Sequence, residues 1–118
     1  PDNVLFPGYF KGAIFEGAMS GADAFFFPSY EETEGIVVLE ALASHQAVVL
    51  RDIPVYQGWL DESSAELCQD NEEFVASLYR TINKEVDKRV AGYEVAKTRS
   101  LENVAKQLAD VYQKVMEL

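Results

Sequence analysis

Short, continuous apolar runs alternating with helical patterns set the strongest limit on what this chain can fold into. The runs are Val4-Leu5-Phe6, Ala24-Phe25-Phe26-Phe27 and Ala47-Val48-Val49-Leu50, with Ala65 to Cys68 as a weaker edge strand. A strand with no polar side is one covered on both faces, and strands of that kind separated by helices read as parallel β-α units. The first run ends at the turn signal Pro7-Gly8, and the second is stopped by Pro28-Ser29.

The helical patterns fill the gaps. Residues 12–21 place Ile14, Phe15, Ala18 and Met19 on one face. Gly35 opens a helix running from Ile36 to about His45, and Val55 to Leu60 fits a short one after the loop Arg51 to Pro54. Asn71 is read as the cap of a helix with Glu72 and Glu73 in its first turn and a stripe of Phe74, Val75, Leu78 and Ile82. A helix over about Val86 to Thr98 follows. Ser100 then caps a long last helix with Leu101, Val104, Ala105, Leu108, Tyr112 and Val115 at helical spacing. The expected fold is α/β, a Rossmann-like parallel sheet with helices on both faces and a long C-terminal helix. The 118 residues form one unit, with no repeat and no linker. The abrupt start Pro1-Asp2-Asn3, without methionine, reads as a piece cut from a longer protein.

Charge narrows the function. Ten Lys and Arg stand against twenty Asp and Glu, and a net charge of −10 opposes nonspecific binding to nucleic acid and gives no general attraction to anionic lipid. A phosphate-bearing partner must therefore be gripped locally, by oriented amides or by cations from elsewhere. No apolar run is long enough to span a membrane. The single cysteine, Cys68, cannot form an internal disulfide, which favours a reducing, cytoplasmic setting. No His, Cys and Asp cluster has metal-ligand spacing, so neither a metal nor another cofactor is expected.

The chemistry concentrates in Glu31 to Ala43, EETEGIVVLEALA. In parallel sheets ligands sit beyond the carboxyl ends of strands, where loops lead into helix N-termini. Gly35 at such a junction lets backbone approach a ligand, and the first helical N–H groups are free to bind an anion. Glu40 lies one turn on, with Ile36, Val37, Ala43 and Ser44 as its helical neighbours, and it leans back toward those amides. A buried carboxylate without a partner is costly, and a ribose diol would supply two donors. The plainer alternative is that Glu40 pairs with a core Tyr or Arg, or lies on a partly solvated face.

The whole string Ala22 to Leu60 resembles the nucleotide-binding domain of family 4 retaining glycosyltransferases, which have the two-domain GT-B fold. The residues that carry it are Pro28-Ser29, Glu32, Gly35, Glu40, the run Ala41 to Ala43, and Val48-Val49; Asn3 to Phe10 resembles the preceding strand. The pairing of EETEGIVVLEALA with RDIPVYQGWL is most similar to bacterial diacylglycerol glucosyltransferases. The resemblance implies glucose transfer from UDP-glucose to a lipid hydroxyl, with retention. It also implies peripheral attachment to the inner face of the membrane through a separate N-terminal acceptor domain.

Carried onto this sequence, the resemblance makes Glu32 the catalytic-site residue, holding donor-sugar hydroxyls without acting as a nucleophile. Thr33 and Gly35, with the amides of Ile36 and Val37, would face the sugar and diphosphate, and Glu40 would grip the ribose. Two departures are Thr33-Glu34 where the family often has Gly-Phe, and Asp52-Ile53 where it has a Gly pair. Tyr9 and Phe10 are candidates for stacking near the base, and Arg51, read as the sole cation near the site, for reaching a phosphate. Each has a structural alternative: sheet packing for the aromatics, a pair with Asp52 or Glu31 for Arg51. His45 is read as a helix-end residue and Trp59 as a core aromatic. The basic residues that would neutralise the diphosphate are expected upstream of Pro1, so this piece alone should be inactive. The stripe of the last helix would then lack its partner, and self-association is expected.

Three other readings compete. One enzyme would extend an already glycosylated lipid or a polysaccharide precursor, and a non-catalytic module would only bind the nucleotide sugar. A signalling receiver fits the size, but Asn3 to Phe10 has no acidic pair and Asp52 stands without the usual company.

Overall fold

The computed structural model describes residues 1–118. Its elements are α1 (Ala13–Gly21), β1 (Phe25–Phe27), α2 (Ile36–Ala43), β2 (Val48–Arg51), β3 (Glu66–Cys68), α3 (Asn71–Ile82), α4 (Arg89–Thr98) and α5 (Leu101–Met116). The strands form a parallel sheet in the order β1-β2-β3, with Phe26 opposite Val49 and Leu50 opposite Leu67.

Alternation along the strands divides the core into two layers. On one face Phe25, Phe27, Val48 and Leu50 pack with Met19 of α1, Val38, Ala41 and Leu42 of α2, and Val95 and Ala96 of α4. On the other, Val49 and Cys68 pack with Phe74 and Leu78 of α3, and Phe26 meets Phe74 edge to face at 5.1 Å. Helices thus cover both faces, as the apolar runs predict. All four residues of β2 are buried, whereas β1 is only half-covered, with Phe26 46% exposed.

Polar groups fix the joints. Buried Gln46 donates to the carbonyls of Met19 and Ala22 at 2.6 and 2.7 Å, and its Oε1 accepts from Ala47 N–H, which ties the end of α1 to the start of β2. Helix α2 closes with His45 at φ 56, its N–H donating to Leu42 and that of Gln46 to Ala41. That is the paired pattern of a helix ended by a left-handed residue. The His45 ring stacks on Tyr93 of α4 at 3.8 Å, so His45 is the helix-end residue expected. Gly92 brings α4 close to α2: a Cβ there would stand 2.7 Å from Leu42 Cδ2 and 3.1 Å from the Ser64 carbonyl.

Several local expectations are corrected. Val4-Leu5-Phe6 is not a strand; it is irregular and exposed, because no strand pairs with it beyond the β1 edge. Residues 55–60 hold only a 3-10 turn, Pro54–Tyr56. The cap of α3 is Asp70, accepting from Glu73 N–H at 2.8 Å while the Glu73 carboxylate accepts from Gln69 N–H. The buried stripe of α3 is Phe74, Ser77 and Thr81; Val75 and Ile82 are exposed. On α1 only Met19 is buried and Phe15 half-buried, with Ile14 and Ala18 exposed. Helix α4 starts at Arg89, not Val86. Ser100 does cap α5, accepting from Asn103 N–H at 3.2 Å, and no residue of α5 is buried.

Candidate functional site

The loop Pro28 to Gly35 leaves the carboxyl end of β1 and delivers the chain to α2. Arg51, at the end of β2, braces it from below. Its Nε donates to the Pro28 carbonyl at 3.0 Å and Nη1 to the Gln69 carbonyl at 3.3 Å, while the Tyr30 ring covers the guanidinium at 3.9 Å. Gly35 is buried with φ 72 and ψ 39, and a Cβ there would stand 3.1 Å from Tyr56 Cε1. Both the left-handed backbone and the close ring demand glycine. The carbonyl of Gly35 accepts from Val38 and Leu39, and the N–H groups of Ile36 and Val37 have no protein acceptor. Two donors and the positive end of the helix dipole are therefore available at the α2 N-terminus.

Beside this terminus lies an open cleft of about 720 Å³. Val37, Glu40 and Ala43 of α2, with Ser44 just past its end, form one wall; Phe15, Glu16 and Ser20 of α1, with Gly12 just before it, form another; and Tyr9, Phe10 and Lys11 close it. A neighbouring depression of about 440 Å³ is lined by Ile36, Leu39, Tyr93 and Arg99, with Glu40 and Ala43 on the ridge between the two. Glu40 is exposed and makes no salt bridge or side-chain hydrogen bond. The expectation of a carboxylate inside the core is thereby corrected. Its apolar neighbours along α2 are right, but the space in front of it is open.

Residues 1–99 match the family described as glycosyl transferases group 1. This chain belongs to that family. It is 46% identical to the processive diacylglycerol alpha-glucosyltransferase of Acholeplasma laidlawii, over all of this chain and 36% of the relative. It is 27% identical to the alpha-galactosylglucosyldiacylglycerol synthase of Streptococcus pneumoniae (strain ATCC BAA-255 / R6), over 97% of this chain and 31% of that relative. The chain thus spans about a third of the length of these curated relatives. No solved structure gives a significant match. The parallel sheet and the family match agree with the Rossmann-like domain of a GT-B glycosyltransferase.

Against the family pattern, the structure sorts the candidate residues into three places. Glu40, Val37, Tyr9 and Phe10 share the cleft. Glu32, Thr33, Gly35 and Ile36 surround the α2 N-terminus outside its lining, with Glu32 half-buried and Thr33 exposed. Arg51 sits beneath the loop, nearly buried and bonded to carbonyls, paired with neither Asp52 nor Glu31. Its role here is to hold the loop, and the cation that lines the cleft is Lys11. The sequence signal for Lys11 was its place directly after Tyr9-Phe10 and before Gly12. Trp59 packs edge-on to Tyr56 at 5.8 Å and donates from Nε1 to the Val55 carbonyl, with Arg99 over its ring.

Tyr56 is the second residue that sequence reasoning passed over. It is 1% exposed, and its hydroxyl has no hydrogen-bond partner. Burial, and then the charge of Glu32, push its phenol up to about 12. No helix of the chain is long and apolar enough to cross a membrane.

Proposed function

We propose that this chain is the donor-binding part of a retaining glycosyltransferase that moves glucose from UDP-glucose to diacylglycerol. The observation that carries this reading is Glu40, an unpaired carboxylate on the wall of an open cleft, one turn from two free helix N–H groups. A carboxylate accepts from both hydroxyls of a ribose, the amides donate to diphosphate oxygens, and Tyr9 and Phe10 offer apolar surface to a base. The relative from Acholeplasma, named for alpha-glucosyl transfer to diacylglycerol, supplies the sugar and the acceptor class.

Bond cleavage between sugar and phosphate builds negative charge on the leaving diphosphate. Donors aimed at that charge before it forms are the main catalytic contribution expected of this piece. Lys11 is the cleft's one basic residue, set against the carboxylates of Glu16 and Glu40. Further positive charge and the acceptor site are assigned to the remainder of a longer protein, working at the cytoplasmic face of a membrane. Glu32 holds hydroxyls of the donor sugar and is not the nucleophile. The Streptococcus relative supports a second reading, in which the acceptor is already a glycolipid.

The test uses the full-length parent. UDP release from UDP-glucose is followed with diacylglycerol, with glucosyl-diacylglycerol and without lipid, for wild type, Glu32→Ala and Glu40→Ala. Release that needs diacylglycerol and collapses in both variants supports the proposal. Release only with the glycolipid favours the second reading, and variants as active as wild type contradict the site.

A further inference from the structure

Beyond the cleft, the structure holds one buried polar group set against the donor loop and left without a partner. Tyr56 ends the 3-10 turn Pro54–Tyr56, and its N–H is satisfied by the Ile53 carbonyl at 3.2 Å. Its ring is fixed from two sides, by the backbone of Gly35 and by Trp59. The hydroxyl lies 3.9 Å from where a Gly35 Cβ would stand, so it is at the loop and not in the depth of the core. A buried hydroxyl without a partner is costly and uncommon, and calls for an explanation.

We infer that Tyr56 is a positioning residue for Glu32, its hydroxyl donating to that carboxylate when the Glu32 to Gly35 loop settles on a bound donor sugar. This rests on the donor-binding reading above. Tyr56 is the donor because a phenol keeps its proton at neutral pH, and Glu32 is the loop carboxylate turned inward, half-buried where Glu31 and Glu34 are exposed, with its charge acting on the phenol. A carboxylate fixed on one oxygen by Tyr56 presents the other to sugar hydroxyls in a single orientation, which favours sugar binding without touching the nucleotide. The missing Cβ of Gly35 is what lets the ring reach the loop.

The test is a pair of calorimetric titrations on the full-length parent, with UDP and with UDP-glucose, for wild type, Tyr56→Phe, Glu32→Ala and the double variant. Tyr56→Phe keeps the ring packing and removes only the orphan hydroxyl, so its Tm should equal or exceed that of wild type. UDP should bind it as wild type does, UDP-glucose about tenfold more weakly, as befits a lost bond to a charged acceptor. The double variant should be no weaker than Glu32→Ala alone. Unchanged UDP-glucose affinity, equal losses for both ligands, additive losses in the double variant, or a fallen Tm would each overturn the Tyr56 role. A wild-type protein that binds neither ligand would overturn the donor-binding reading itself, and the Tyr56 role with it.

Discussion

Glu40 shows how far a single residue can be read from its neighbours. Apolar or small residues three and four positions away place it on a definite face of α2, and that face was legible. Whether another element covers that face is a tertiary fact, and here α1 leaves a cleft in front of it. Gly35 was legible as a junction glycine that lets backbone approach a ligand, though its left-handed φ of 72 was not. The ring of Tyr56 against it, from 21 positions along the chain, was not. Gly35→Ala should lower stability by about 1–2 kcal/mol from the left-handed backbone alone, with more from the contact at Tyr56. Urea unfolding of the parent measures the first effect, and donor binding should weaken beyond what the stability loss explains. A wild-type midpoint would contradict the backbone assignment.

At the scale of elements, β1 and β2 follow the apolar runs, with β3 as the edge strand, because each has a neighbour in the sheet to pair with. Val4-Leu5-Phe6 has the same composition and forms no strand, since apolar character selects for burial while a strand also needs a neighbour to pair with. Helix α3 errs the other way. Its buried face is set by fit under β2 and β3, so Ser77 and Thr81 go in and Val75 and Ile82 stay out. Ser77 Oγ accepts there from Arg80 at 2.9 Å and lies 3.3 Å from Cys68 Sγ. One ion-pair cluster ties these elements together: Glu66 of β3 meets Lys88 at 2.8 Å and Arg80 of α3 at 3.2 Å.

Burial would raise the Glu66 pKa, but the bond and charge of Lys88, with Arg80 behind them, outweigh it and hold the carboxyl below its ordinary 4.5. A depressed folded pKa stabilises fully above the unfolded value and is lost as pH falls through the folded one. Wild type should therefore be more stable than Glu66→Gln at pH 7, with the difference shrinking as pH drops below about 4.5. Urea midpoints of the two proteins across that range check it. A constant difference would contradict the pairing.

The whole molecule is under-covered for its mass. Its accessible surface is 8608 Å², about a third above the roughly 6,400 Å² of a compact monomer of this size. The radius of gyration is 16.5 Å and the longest extent 62 Å, against a radius of about 13–14 Å for a compact domain of this length. The excess lies in the exposed segment around Leu5 and Phe6 and in α5, where Leu101, Leu108 and Tyr112 all stand in solvent. Amphipathic spacing made the α5 stripe legible, and no element of this chain buries it. Isolated as residues 1–118, the chain should self-associate with rising concentration, and Leu108→Glu with Tyr112→Glu should reduce this in sedimentation runs. A monomer at all concentrations would contradict that expectation.

Whether Glu40 grips a ribose diol is tested directly by one titration. The full-length parent and its Glu40→Ala variant are titrated with UDP and with 2′-deoxy-UDP. Wild type should prefer UDP by about tenfold, as for a bond to a charged acceptor, and Glu40→Ala should bind both nucleotides alike at the weaker level. Equal UDP affinity in wild type and variant would contradict the claim and leave Glu40 as a solvated helix residue beside an empty cleft.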